Sequence, residues 1–144
     1  MAKLDLAIYP KRPYADGWVK PGHGSAGATL KAGSWKPMLL DHRTYTVRPG
    51  TMSRHLKIYE TYGFEVQKKH LGEPLVYLVT ESGELDTFVH IWVYQDATDR
   101  TARRAALQAD PAWQTYLAKK AEAGCVIKQK NKLMTPAEFA PIKR

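Results

Sequence analysis

Two short runs place the side chains best suited to chemistry at alternate positions: Arg43-x-Tyr45 and His90-x-Trp92-x-Tyr94. Spacing of two puts each set on one face of a β-strand. An imidazole beside flat rings can move a proton on an aromatic or polyketide-like ligand held against a pocket wall. Arg43 offers a two-pronged donor to a carboxylate or phosphate. The same residues also have a packing reading. Buried Trp and Tyr rings fill sheets and hydrogen-bond through their polar tips, and a buried Arg pairs with an acid such as Glu81 or Glu60. His70 lies in a loop-like stretch beside Lys68 and Lys69 and is a second proton-transfer candidate. The catalytic candidates are therefore His90 and His70, and the substrate-binding candidates Arg43, Tyr45, Trp92 and Tyr94. His55, on the edge of a helical apolar stripe, is a weaker candidate.

Other chemistries lack their patterns. The five histidines are scattered without metal-ligand spacing. The chain contains no Ser/His/Asp order, glycine-rich phosphate loop or dinucleotide fingerprint. The single cysteine, Cys125, permits no internal disulfide, reads as a packed thiol and fits a reducing compartment. No metal and no cofactor is expected.

The elements that must position these residues follow from periodicity. Leu39 to Val47 alternates as a strand that Pro49-Gly50 ends. Met52, His55, Leu56 and Tyr59 recur at helical spacing over 51–62, and Gly63 reads as the C-cap. Residues 64–71 read as a further short helical turn closed by Gly72 and Pro74. Leu75 to Glu81 and Thr87 to Tyr94 form a hairpin around Ser82-Gly83-Glu84. Asp96 N-caps the next helix with Asp99 in its first turn, and Asp99–Arg103 makes an i, i+4 pair. Asp110-Pro111 caps a further helix with Trp113, Tyr116, Leu117 and Lys120 on its inner face, stopped by Gly124. Val126 to Met134 is the last strand. The order β-α-β-β-α-β predicts an α+β, ferredoxin-like sandwich with a four-stranded antiparallel sheet. Helices cover one face, yet the hairpin is apolar on both, through His90, Trp92 and Tyr94 and through Val89, Ile91 and Val93. A second sheet is expected on the open face, hence a homodimer.

At 144 residues, 44% hydrophobic and 25% charged, the chain has the composition of an ordinary globular domain. No apolar run approaches the ~20 residues of a membrane span, and the N-terminus lacks the apolar stretch of a secretory signal. Residues 1–37 stand apart with four prolines and five of the ten glycines, little regular structure being expected beyond a short strand over 7–9. This basic extension holds six basic residues against two acids, a net +4 of the chain's +8. The remaining charge forms no dense stripe, so no specific nucleic-acid partner is expected.

Several phrases in the rest of the chain resemble one family. They include Arg43-Thr-Tyr-Thr with Pro49-Gly50, Leu56-Lys-Ile-Tyr59-Glu60 leading to Gly63, Gln67 to Gly72 (QKKHLG), and Val79-Thr-Glu81-Ser-Gly83. His90-Ile-Trp92-Val-Tyr94, Asp99-Arg100 with Arg103-Arg104, Asp110-Pro-Ala-Trp113 and Asn131-Lys-Leu-Met134 complete the set. Over about 39–139 the chain resembles the NIPSNAP family of the dimeric α/β-barrel superfamily. The resemblance implies a domain over 38–144 that pairs into a dimeric α/β barrel, but no settled reaction. Cousins in the superfamily include cofactor-free monooxygenases, haem-degrading enzymes and lactone isomerases. It also implies a cytoplasmic setting for a bacterial chain and a mitochondrial one for a eukaryotic chain.

The leading expectation is a homodimer binding a small, largely apolar or aromatic molecule, with cofactor-independent oxygenase or isomerase chemistry as its enzymatic form. A cavity of at least ~300 Å³ should accompany it. The rivals are a non-enzymatic protein-interaction module, marked by an exposed apolar patch, and a haem-handling protein.

Overall fold

The computed structural model describes residues 38–142. The extension over 1–37, with the short strand expected at 7–9, lies outside the described residues.

The first strand, β1 (Leu39–Val47), leads into α1 (Met52–Ile58). A π-helical turn (Tyr59–Gly63) continues without a break into α2 (Phe64–Leu71). The hairpin β2 (Val76–Val79) and β3 (Thr87–Tyr94) follows, then α3 (Ala97–Ala109), α4 (Pro111–Ala123) and β4 (Val126–Met134). The strands form one sheet in the order β2-β3-β1-β4, every neighbour antiparallel. This is the expected α+β, ferredoxin-like arrangement.

Three local expectations need correction. Gly63 does not end a helix. Its backbone is right-handed, at φ −107° and ψ −40°, and the helix runs through it. A Cβ there would lie 2.8 Å from the Tyr59 ring and 2.9 Å from that of Tyr116, so glycine is required because α4 passes close by. The true stop is Gly72, at φ +80°. β2 is also shorter than 75–81, although Leu75 N still donates to Ile91 O and Thr80 N to Thr87 O at the strand's two ends. Finally, Arg43 pairs with neither Glu81 nor Glu60 but with Asp41 on its own strand, at 3.2 Å.

The helix starts follow their sequence signals. Asp96 accepts from Asp99 N at 2.8 Å while Asp99 Oδ2 accepts from Gln95 N at 2.9 Å, two side chains reciprocally satisfying free amides at the start of α3. Asp110 accepts from Ala112 N at 2.9 Å, with Pro111 in the first turn of α4. Gly124, at φ +58°, closes that helix in the left-handed conformation.

Register assigns the two faces of the sheet. Opposite one another toward the helices stand Arg43 and His90, Tyr45 and Phe88, Asp41 and Trp92, and Tyr77 and His90. The main core lies there: Trp92, Tyr94, Leu71, Leu107, Tyr59, Trp113 and Tyr116 are buried between sheet and helices. A smaller cluster of Tyr45, Val47, Phe88 and Cys125 fills the other end, with the thiol packed and unpaired as expected.

Candidate functional site

A cavity of about 180 Å³ lies between the helix-facing side of the sheet and the helices above it. Its sheet side is made of stacked rings. Tyr45 lies parallel to Phe88 at 4.8 Å, Phe88 and Tyr77 stack at 5.6 Å, and Tyr77 stacks on His90 at 5.3 Å. The π-helical turn contributes Tyr59, stacked on Tyr77 at 5.1 Å and bonded through its hydroxyl to Gln67 at 2.9 Å. His55 of α1 stacks on Phe88 at 4.7 Å and is 4% exposed, a wall residue rather than one at a helix edge. Trp113, Tyr116 and Lys120 of α4 and Arg104 of α3 line the helix side, with Gln129 of β4 at the sheet edge.

Among the six site residues expected from sequence, Arg43, Tyr45 and His90 meet in this cavity. Trp92 and Tyr94 share their face of the sheet but sit in the solid core beside it, 0% and 1% exposed. His70 is not among the cavity residues. At the end of α2, its Nε2 lies 2.8 Å from Asp110 Oδ2, tying α2 to the cap of α4.

Trp92 nonetheless governs the chemistry of His90. Its indole N–H can only donate, and it does so to His90 Nδ1 at 2.7 Å. His90 is thereby fixed as the neutral tautomer with its proton on Nε2. Burial, and next the Arg43 charge, push its pKa down to about 3. His55 is lowered to about 4 by burial and then by Lys120. Both wall imidazoles are neutral at physiological pH. Burial raises the hydroxyls of Tyr59, Tyr77 and Tyr116, which remain protonated.

Arg43 is held in place from below. Asp41, 0% exposed, lies 3.2 Å from its Nε, aligned for ion pairing rather than a hydrogen bond. The other Asp41 oxygen accepts from Arg100 Nε at 3.0 Å, with Arg100 Nη2 at 2.9 Å, anchoring α3 to the sheet. Arg43 Nη1 reaches the Tyr45 hydroxyl at 3.3 Å.

The wall is rich in donors. Arg43, Arg104 and Lys120 bring three cationic side chains from three elements, and among the described residues no carboxylate lines the cavity. Arg104 and Lys120 make no ion pair among the described residues. Lys120 and Arg104 were not among the expected site residues: Lys120 reads only as part of the inner face of α4, and Arg104 as part of a charged helix start. The detectable signal was a lysine four residues after Tyr116 and seven after Trp113, on the stripe that faces the sheet.

Fold and site together define a ferredoxin-like α+β protein with a ring-floored cavity between sheet and helices. The chain belongs to the NIPSNAP family, whose family model (NIPSNAP) matches residues 40–141. It is 40% identical to a NIPSNAP family protein of unknown function from Agrobacterium tumefaciens, over 74% of this chain and 94% of that one, with a TM-score of 0.68. An uncharacterised NIPSNAP-like domain protein from Burkholderia xenovorans is 34% identical over 73% of this chain and 90% of that one, TM-score 0.67. A NipSnap homologue from Dictyostelium discoideum is 35% identical over 77 residues, 54% of this chain. The match spans about a third of that relative, 34% of its length.

Proposed function

We propose that the protein binds a small organic anion with a flat apolar body in the cavity between sheet and helices. The carrying observation is the wall itself. Arg43, Arg104 and Lys120 converge there, and among the described residues no carboxylate lines the cavity. A buried donor costs free energy until it meets an acceptor, so the wall selects a ligand rich in acceptor oxygens. The stacked rings select a planar body. At about 180 Å³ the space is below the expected ~300 Å³, which favours a single-ring ligand over a polycyclic one.

Such a wall favours enolisation and related proton shifts, because fixed donors stabilise negative charge as it develops on a ligand oxygen. Cofactor-independent isomerases and oxygenases both pass through such an anion. In this reading His90 acts through its Nε2–H as a hydrogen-bond donor, since Trp92 occupies Nδ1. Arg43 and Arg104 hold the anionic group, while Tyr45 and its neighbours orient the ring. His70 keeps a structural part at Asp110.

The reading includes a homodimer packed through the open face of the sheet. Leu78 is 56% exposed and Met134 49% exposed on that face, continuous with the half-buried Val76, Val89 and Ile91. The segment after β4 shares a groove of about 300 Å³ with Leu40, His42 and Ile91, and Phe139 on that segment is 92% exposed. Among the described residues no helix is long and apolar enough to cross a membrane. The buried free thiol of Cys125 fits a reducing compartment, cytoplasmic or mitochondrial.

The test is a titration followed by intrinsic fluorescence with benzoate, benzyl alcohol and benzylamine. Benzoate should saturate the signal and the other two should not. Arg104→Gln should weaken benzoate about tenfold, equivalent to about 1.4 kcal/mol. Equal binding of the amine or the alcohol, or no binding by any of the three, would overturn the proposal.

A further inference from the structure

The helical lysines divide into two kinds. Lys57, Lys68, Lys69 and Lys119 each lie 3.1 to 3.9 Å from a carboxylate at the surface. Lys120 has no such partner among the described residues, and it lines the cavity. Its ammonium nitrogen stands 5.3 Å from the centre of the Tyr45 ring, over the floor that orients the ligand. One turn earlier on the same face Tyr116 is buried, and Trp113 lies one turn before that, so the α4 backbone fixes the direction of the lysine stem. A lysine whose only role was solubility would be expected to reach for water or an acid.

We propose that Lys120 is a carbonyl-reactive amine, and that the ligand class is a small oxo acid with a planar body. The inference rests on the anion-cavity reading above. It adds a division of labour: the guanidinium groups of Arg43 and Arg104 take the carboxylate, and Lys120 takes the carbonyl.

The chemistry is self-contained. The neutral amine attacks the carbonyl carbon, a C–N bond forms, and the carbonyl oxygen becomes a hydroxyl. Expulsion of that oxygen completes the C=N bond, and both amine hydrogens leave with it as water. No oxidant or reductant is consumed. The resulting imine, once protonated, draws electrons from the adjacent carbon and eases loss of a proton there, the same direction of chemistry that the donor-rich wall supports. The step needs an unprotonated amine, and the site supplies the conditions for one. Burial, and after it the positive charge of Arg43, push the Lys120 pKa down.

The experiment uses the full chain with 4-carboxybenzaldehyde as probe and sodium cyanoborohydride to trap the imine, read by intact mass and peptide mapping. The expected result is a single reduced adduct on the Lys120 peptide, formed about tenfold faster than on any surface lysine, a preference of about 1.4 kcal/mol. Lys120→Gln should abolish it, Lys119→Gln should leave it intact, and 4-carboxybenzyl alcohol should compete. Competitive binding of that alcohol, with label spread evenly over surface lysines, would overturn the covalent role and leave the anion cavity standing. Absence of both binding and selective labelling would remove the cavity reading and this inference together.

Discussion

The two faces of the one sheet are built from alternate residues of the same strands, yet they differ in kind. Toward the helices stand Asp41, Arg43, Tyr45, His90 and Trp92, a polar and aromatic set with defined partners. Away from them stand Leu40, His42, Thr44, Val89, Ile91 and Val93, mostly aliphatic or small, with Lys128, Lys130 and Lys132 along the β4 edge. Specific polar geometry is concentrated on the inner face. The outer face has the character of an adhesive surface, suited to packing on another sheet and poorly suited to holding a small ligand in one pose. Period two lets a strand serve both ends without compromise, because neighbouring residues never share a face.

The sharpest way to test that contrast is to remove the acid on which the inner face depends. Asp41→Asn leaves the Arg43 and Arg100 guanidiniums without their shared carboxylate, and Asp41 is fully buried. Breaking a buried pair in this way costs about 3–5 kcal/mol. Urea unfolding should show that loss, together with loosened packing of α3 on the sheet. A cost below about 1 kcal/mol would mean that the inner-face network is ornamental.

The second test is pH. His90 and His55 have folded pKa values near 3 and 4, lowered from the ordinary 6.5 chiefly by burial. Below pH 6.5 the unfolded chain binds protons that the folded one refuses, so unfolding free energy falls with decreasing pH. The contribution is complete above about 6.5 and is lost progressively toward the folded values, a loss on the order of a few kcal/mol in total. Thermal melts between pH 7 and 4 should fall steadily, and His90→Asn should flatten the slope. Asp110, held down to about 2 first by its bond to His70, adds to the loss only below about pH 4. A melting temperature unchanged between pH 7 and 4 would contradict neutral buried imidazoles.

Much of this was legible in the sequence, and the parts that were not have separate physical causes. Alternation reports which face a residue takes, and for Arg43, Tyr45 and His90 that sufficed. Depth is another matter. Trp92 shares the face of His90 but falls where core side chains close over the strand, so it supports the site from behind. Gly63 was visible as punctuation, but a glycine that stops a helix and one that lets another helix approach look alike until Tyr116 is known to pass over it. Lys120 was hidden for a third reason. Its place on the inner stripe of α4 is plain, but its lack of an acidic partner depends on every element packed around it.

The outer face provides the smallest expected change in protomer stability and the largest in assembly. Ile91 is half-buried in the protomer and central on that face, paired with His42 on one side and Val76 on the other. Ile91→Lys places a charge there with open space for its stem to carry it to water, so a lone protomer should lose no more than about 1 kcal/mol. In a face-to-face dimer the same ammonium would be trapped between two sheets without a partner, and each subunit would contribute one. Light scattering at micromolar concentration should therefore show a dimer for the native chain and a folded monomer for the variant. Benzoate binding should persist in the variant, because Arg43, Arg104 and Lys120 all belong to the same protomer and lie on the side of the sheet away from Ile91. A native monomer would remove the outer face from the argument. A variant that stayed dimeric would move the interface elsewhere, and loss of benzoate binding on dissociation would show that the two faces are coupled.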